Sequence, residues 1–163
     1  MTSPAPTSPT NRPEASAGLT DMVPLWVRLG LVALAVPQAL TGGWALLDGA
    51  GWFESFPGFD PRLVAAEPPF NAHLAADAGA GFLATAVALV LAAWWGERRV
   101  VWLALAAYAA FAVPHLVYHW ANPAPGLSGA EDVRNVIALG IAAVFPLVLW
   151  WGSRRGRGGR WSR

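Results

Sequence analysis

Cysteine is absent from the chain. That excludes disulfides, thiolate metal ligands, iron–sulfur clusters and cysteine nucleophiles, and it leaves the redox compartment open. Lysine is absent as well, since all eleven basic residues are arginines. With abundant alanine, this composition matches a GC-rich bacterial genome. Charge is scarce: 13% of residues are charged against 55% hydrophobic, and the charges fall mostly between long apolar blocks. Such a distribution describes an integral membrane protein rather than a soluble core. The net charge of +1 says little until its placement is read. Also missing are an HExxH motif, a persuasive serine nucleophile, an internal repeat and a filter-like loop. No basic start followed by an apolar run opens the chain, so the first hydrophobic stretch is expected to stay as an anchor.

What is present fits one compact domain of 163 residues. Residues 1–20 are rich in proline, serine and threonine with little to bury, and a disordered tail is expected. Four apolar stretches follow, at about 25–47, 71–95, 100–122 and 129–151. Each can cross a ~30 Å hydrocarbon layer at ~1.5 Å rise per residue. The expected fold is all-α, an antiparallel four-helix transmembrane bundle over residues 21–152. The tail 153–163 is basic and glycine-rich. Directly after a membrane helix it reads as a topology anchor or anionic-lipid contact, and nucleic acid is not expected as a partner.

Local signals sharpen the spans. Pro37 removes a donor in mid-span and can kink the first helix; Gln38 and Thr41 follow within one turn. Arg28 lies near enough to one end to snorkel. Gly42 and Gly43 permit close helix contact. The connection 48–70 carries Trp52, Phe53, Phe56 and Phe59. A loop resting in the interface, with Trp44 and Trp52 in the headgroup belt, is the simpler expectation, and a lid over the bundle mouth the sharper one. Asn71 can cap the second span, and Ser128 with Glu131 forms a capping box for the fourth. Gly81, Ala84 and Ala88 continue the face of His73 and Asp77, and this small-residue stripe is expected to meet another helix. Glycine- and alanine-rich faces also allow a homodimer. Under alternating crossings, Arg12, Arg28, Arg98, Arg99 and the arginines from Arg154 onward share one side, against Arg62 and Arg134 on the other. That bias places both termini in the cytoplasm of a bacterial inner membrane.

The three histidines then converge in depth. His73 and Asp77 start the second span on the outer side. His115 and His119 end the third there, one helical turn apart, and Glu131, Asp132, Arg134 and Asn135 start the fourth. Imidazole and carboxylate suit zinc, iron or copper, so His73, Asp77, His115 and His119 form a candidate metal-ligand set. Tyr108, Arg134, Asn135 and Gln38 are candidates for the surrounding shell. In an enzyme, Asp77, Glu131 and Glu67 are the candidate catalytic acids or bases. Two alternatives stand beside the metal. One is a metal-free network in which Arg134 neutralises Asp77. The other is a haem b held by His73 and either His115 or His119, which requires opposed histidines and a wide apolar slot. The leading functional expectation is a metal-dependent oxidoreductase or hydrolase acting on a small apolar or lipid-like substrate. Metal binding or transfer without chemistry, haem electron transfer and a structural role remain beside it.

GWFESFPGF, the NAHLAADAGA segment and PHLVYH are similar to features of small four-helix bacterial membrane proteins, loosely the DoxX-like group. The resemblance covers roughly residues 25–151. It implies a four-helix bundle and an association with membrane redox biology, and it carries no catalytic residue set onto this chain.

Overall fold

The computed structural model describes residues 22–154. The tail 1–20, Arg12 and the arginines from Arg155 onward lie outside the described residues. Within them the chain is helical: α1 Leu25–Leu47, α2 Gly49–Ser55, α3 Ala72–Trp95, α4 Arg98–Ala121 and α5 Gly129–Arg154. Four of these, α1, α3, α4 and α5, are long and apolar enough to cross a membrane. Their side chains face outward in large numbers, with Leu29, Leu40, Trp94, Leu103 and Leu147 all more than half exposed. A helix apolar all round is what a lipid solvent selects.

The helix ends follow from local chemistry. The Asn71 side chain accepts from Leu74 N at 3.1 Å and starts α3. The Ser128 and Glu131 pair forms the expected reciprocal cap of α5: Ser128 N donates to Glu131 Oε2 at 2.8 Å, and Glu131 N donates to Ser128 Oγ at 3.4 Å. α3 ends at Gly96, whose φ of 70° only glycine adopts without strain, and the chain turns at once into α4. The short α2 was not legible as a helix. It forms because Asp48 accepts from Gly51 N at 3.0 Å and caps its start.

α1 and α3 pack tightly. A Cβ added at Gly42 would lie 2.8 Å from Gly79 O and 2.8 Å from Leu83 N, so backbone meets backbone there. Gly43 and Gly81 face open space. The stripe expected to meet a neighbour therefore does not do so as a unit: Gly81 and Ala84 are exposed, and only Ala88 packs against the core. The contact face runs through Ala75, Gly79 and Ala86 instead. Gly79 stands two residues beyond Asp77, roughly 200° around the axis at ~100° per residue, which turns the Asp77 face away from α1.

Arg28 is more than a snorkelling cation. Its Nε donates to Ala93 O at 2.6 Å and its guanidinium to Trp94 O at 3.0 Å, supplying donors to the last carbonyls of α3. Nearby, the buried Arg98 donates to Ser153 O at 3.1 Å and Trp102 Nε1 donates to Ser153 Oγ at 2.8 Å. The fully buried Val27, Leu31, Leu89, Val101 and Leu149 all lie toward this end of their helices. The dense core thus fills the end near Gly96. The opposite end, reached by the connections 48–71 and 122–128, is hollow.

Candidate functional site

The hollow end encloses a cavity of about 770 Å³, lined by all four long helices, α2 and the connection after it. Pro37, Gln38 and Thr41 come from α1, Ala78 and Phe82 from α3, and Tyr108, Phe111, Ala112, His115 and His119 from α4. α5 contributes Glu131, Arg134, Asn135, Ala138, Leu139 and Ala142. Phe56, Phe59, Leu63, Val64 and Glu67 close it from the connecting segment. That segment is clasped to the α4–α5 connection, where Gly126 N donates to Ala66 O at 3.1 Å. A Cβ at Gly126 would come within 2.8 Å of Ala66 Cα, so only glycine admits this approach.

The wall is mainly apolar and aromatic. Phe82 and Phe111 meet edge to face at 5.0 Å between centroids. His115 stacks on Phe111 at 5.3 Å, an i,i+4 pairing along α4, and His119 stands edge-on to His115 at 4.8 Å. His119 Nδ1 is 3.9 Å from Glu67 Oε1, too far for a direct hydrogen bond.

Four buried side-chain polar atoms among the described residues lack a hydrogen-bond partner: Gln38 Oε1, Trp52 Nε1, Glu67 Oε1 and His119 Nδ1. All four residues line this cavity. Buried polar atoms without partners are uncommon and costly, about 1–3 kcal/mol each. Their gathering around one space marks where partners belong. Gln38 is the sharpest case, because the residue is only 8% exposed.

The sequence-derived candidates divide into two groups. His115, His119, Glu67, Glu131, Tyr108, Arg134, Asn135 and Gln38 all line the cavity. His73 and Asp77 do not. Their side chains are 82% and 63% exposed, and His73 Nε2 lies 3.3 Å from Asp77 Oδ2, so they pair with each other on the outside of α3. The rotation of α3 that seats Gly79 against α1 carries them outward. Among the described residues, no group of three or more histidine, aspartate or glutamate side chains is placed to hold a metal ion. The four-ligand set is therefore not assembled, and Arg134 has no buried Asp77 to neutralise. His73, the axial ligand that the haem alternative requires, does not line the apolar space. Glu131 is occupied at the α5 cap, where Ser128 Oγ donates to its Oε2 at 2.7 Å.

Trp52 was missed as a site residue. Its place in a loop of aromatics pointed to the headgroup belt, and only the α2 turn brings its Nε1 inward. Phe82 and Phe111 were missed because helices apolar on every side give no periodic signal of which face is interior.

Among known proteins, no family model matches the chain, and no curated protein or solved structure matches it.

Proposed function

We propose that this chain is a multi-pass protein of the bacterial cytoplasmic membrane that binds a small, mainly apolar molecule with a hydrogen-bonding head. The observation that carries this reading is the coincidence of the four unpartnered buried polar atoms with one large, largely apolar cavity. Ligand sites have this character: an apolar wall and a few placed polar groups. Trp52 Nε1 needs an acceptor, and the Gln38 and Glu67 oxygens need donors. A hydroxyl supplies both.

The helices are antiparallel in this proposal, with the termini in the cytoplasm and the cavity in the outer half. Two observations support that arrangement. Arg28 at the start of α1 reaches Ala93 at the end of α3. The arginines Arg28, Arg98, Arg99 and Arg154 gather at the opposite end from Arg62 and Arg134. The likeness to the DoxX-like group is kept for its architecture alone.

A second reading, in which the bound molecule is also chemically changed, is favoured by Glu67 and His119 lying 3.9 Å apart within the cavity. A turn of the Glu67 side chain would bring its carboxylate within hydrogen-bond reach of His119, giving an acid–base pair able to exchange a proton with a bound hydroxyl.

The test uses the full chain in phosphatidylcholine vesicles with 2-naphthol, which has an apolar body and one hydroxyl. Saturable binding is expected, weakened by His119→Ala and stronger than that of naphthalene. Binding no greater than to protein-free vesicles would overturn the proposal.

A further inference from the structure

We infer that the molecule held in the cavity is a neutral single-chain lipid with a hydroxylated head, whose tail leaves sideways between α1 and α5 into the bilayer. This rests on the binding reading above and adds the ligand class and its route.

The first observation concerns where the cavity wall is open. Pro37 and Ala138 line it and are exposed, as are Phe59, Asp60 and Arg134 nearer the loops, so exposed wall occurs at the loop mouth and at one deeper level. Pro37 lies ten residues from Leu47 at the end of α1, and Ala138 nine residues from Gly129 at the start of α5. At ~1.5 Å per residue these are depths of roughly 15 and 14 Å, the middle of a ~30 Å hydrocarbon layer. An opening there faces acyl chains rather than water. α1 and α5 touch nearer the other end, where Gly30 faces Leu149 and Gly152 faces the Trp26 indole. Above those contacts the two helices flank the cavity.

The second observation is the distribution of polar atoms along the cavity. His119, Glu67 and Trp52 place unpartnered atoms toward the connecting loops, and Gln38 places one deeper, beside the opening. A head with hydroxyls above and a further polar group at the start of its chain meets both levels. The third is charge. Asp60, Glu67 and Glu131 line the cavity against the single cation Arg134 among the described lining residues. An anionic head, such as a fatty acid or a phosphate, would meet net repulsion. A monoacylglycerol combines the neutral hydroxylated head, the ester below it and the single chain.

The experiment uses the full chain in phosphatidylcholine vesicles and photoreactive monoacylglycerols. One carries a diazirine at the end of a long chain, and the other is a short-chain analogue with the diazirine beside the head. The long probe is expected to label saturably, with adducts on α1 and α5 around Pro37 and Ala138. The short probe should label cavity residues near His119. Ile141→Trp, or the milder Ile141→Phe, at an exposed position one turn from Ala138 and outside the cavity wall, should lower labelling by the long probe about tenfold while sparing the short one, as obstruction of an entrance would. Retained short-probe labelling also shows that the variants are folded. If the short probe labels the cavity but the long probe's adducts lie on other helices, or the variants leave its labelling unchanged, the lateral route is overturned and the cavity reading survives. If a diazirine fatty acid labels as well as the monoacylglycerol, the neutral-head assignment is overturned. No saturable labelling by any of the probes would overturn both readings.

Discussion

His119 Nδ1 and Glu67 Oε1 stand 3.9 Å apart, both sealed from solvent and neither hydrogen-bonded. They come from a membrane-length helix and from a connecting loop, so the loop is part of the cavity wall. Nothing in the spacing of either residue could have paired them.

Trp52→Phe is the cleanest test of an unpartnered atom. It removes the indole N–H and keeps an aromatic ring against Phe56, whose ring centroid lies 6.2 Å away. The ligand-free protein should be as stable or up to about 1 kcal/mol more stable, because an unsatisfied donor has gone. Affinity for 2-naphthol should fall roughly three- to tenfold, the value of one hydrogen bond. Thermal melting and fluorescence titration in vesicles check the two halves separately.

His73→Ala and Asp77→Asn should do little. An exposed pair is worth about 0–1 kcal/mol, and these residues lie outside the cavity wall. Binding of 2-naphthol should stay within about twofold of the parent protein, and added zinc should bind no differently. Loss of a bound metal in either variant, read by elemental analysis, would restore the four-ligand centre.

Glycines at superficially similar positions should separate. Gly42→Ala forces a methyl against Gly79 and Leu83 backbone atoms at 2.8 Å and should destabilise by about 1–3 kcal/mol. Gly43→Ala and Gly81→Ala enter open space and should leave melting unchanged or raise it by up to about 1 kcal/mol through helix propensity.

Arg28→Gln should cost roughly 1.5–3 kcal/mol, because two charge-assisted hydrogen bonds to the end of α3 are lost. The loss should appear as faster amide exchange in the last turn of α3 and the first of α1. Uniformly unchanged exchange would show that water replaces the guanidinium at no cost.

The absence of cysteine makes topology directly measurable. In intact cells, Asp60→Cys should react with a membrane-impermeant maleimide, and Arg154→Cys should react only after lysis. The reverse pattern would invert the proposed orientation.

Much of the scaffold could be read from residues alone. The span 25–47 coincides with α1, and the other three spans lie within a few residues of α3, α4 and α5. Long apolar blocks, Asn71, and the Ser128 and Glu131 pair are strong local signals that need no tertiary knowledge. The rotation of α3 was not legible. Its residues are apolar on every side, so the polar His73 and Asp77 were assigned inward by the general cost of polar groups in lipid. They sit in its first turns, where headgroups and water relieve that cost. The cavity itself depends on α2, a seven-residue helix whose start rests on one aspartate.

The glycine contact between α1 and α3 makes those helices one slab, and α4 with α5 forms another. The slabs are buttressed at the Gly96 end by Leu31, Leu89 and Leu149 and parted at the other by the hollow. On the proposed binding reading, trimming the dense end, as in Leu89→Ala, should change which guest widths the hollow end accepts, although Leu89 does not line the cavity.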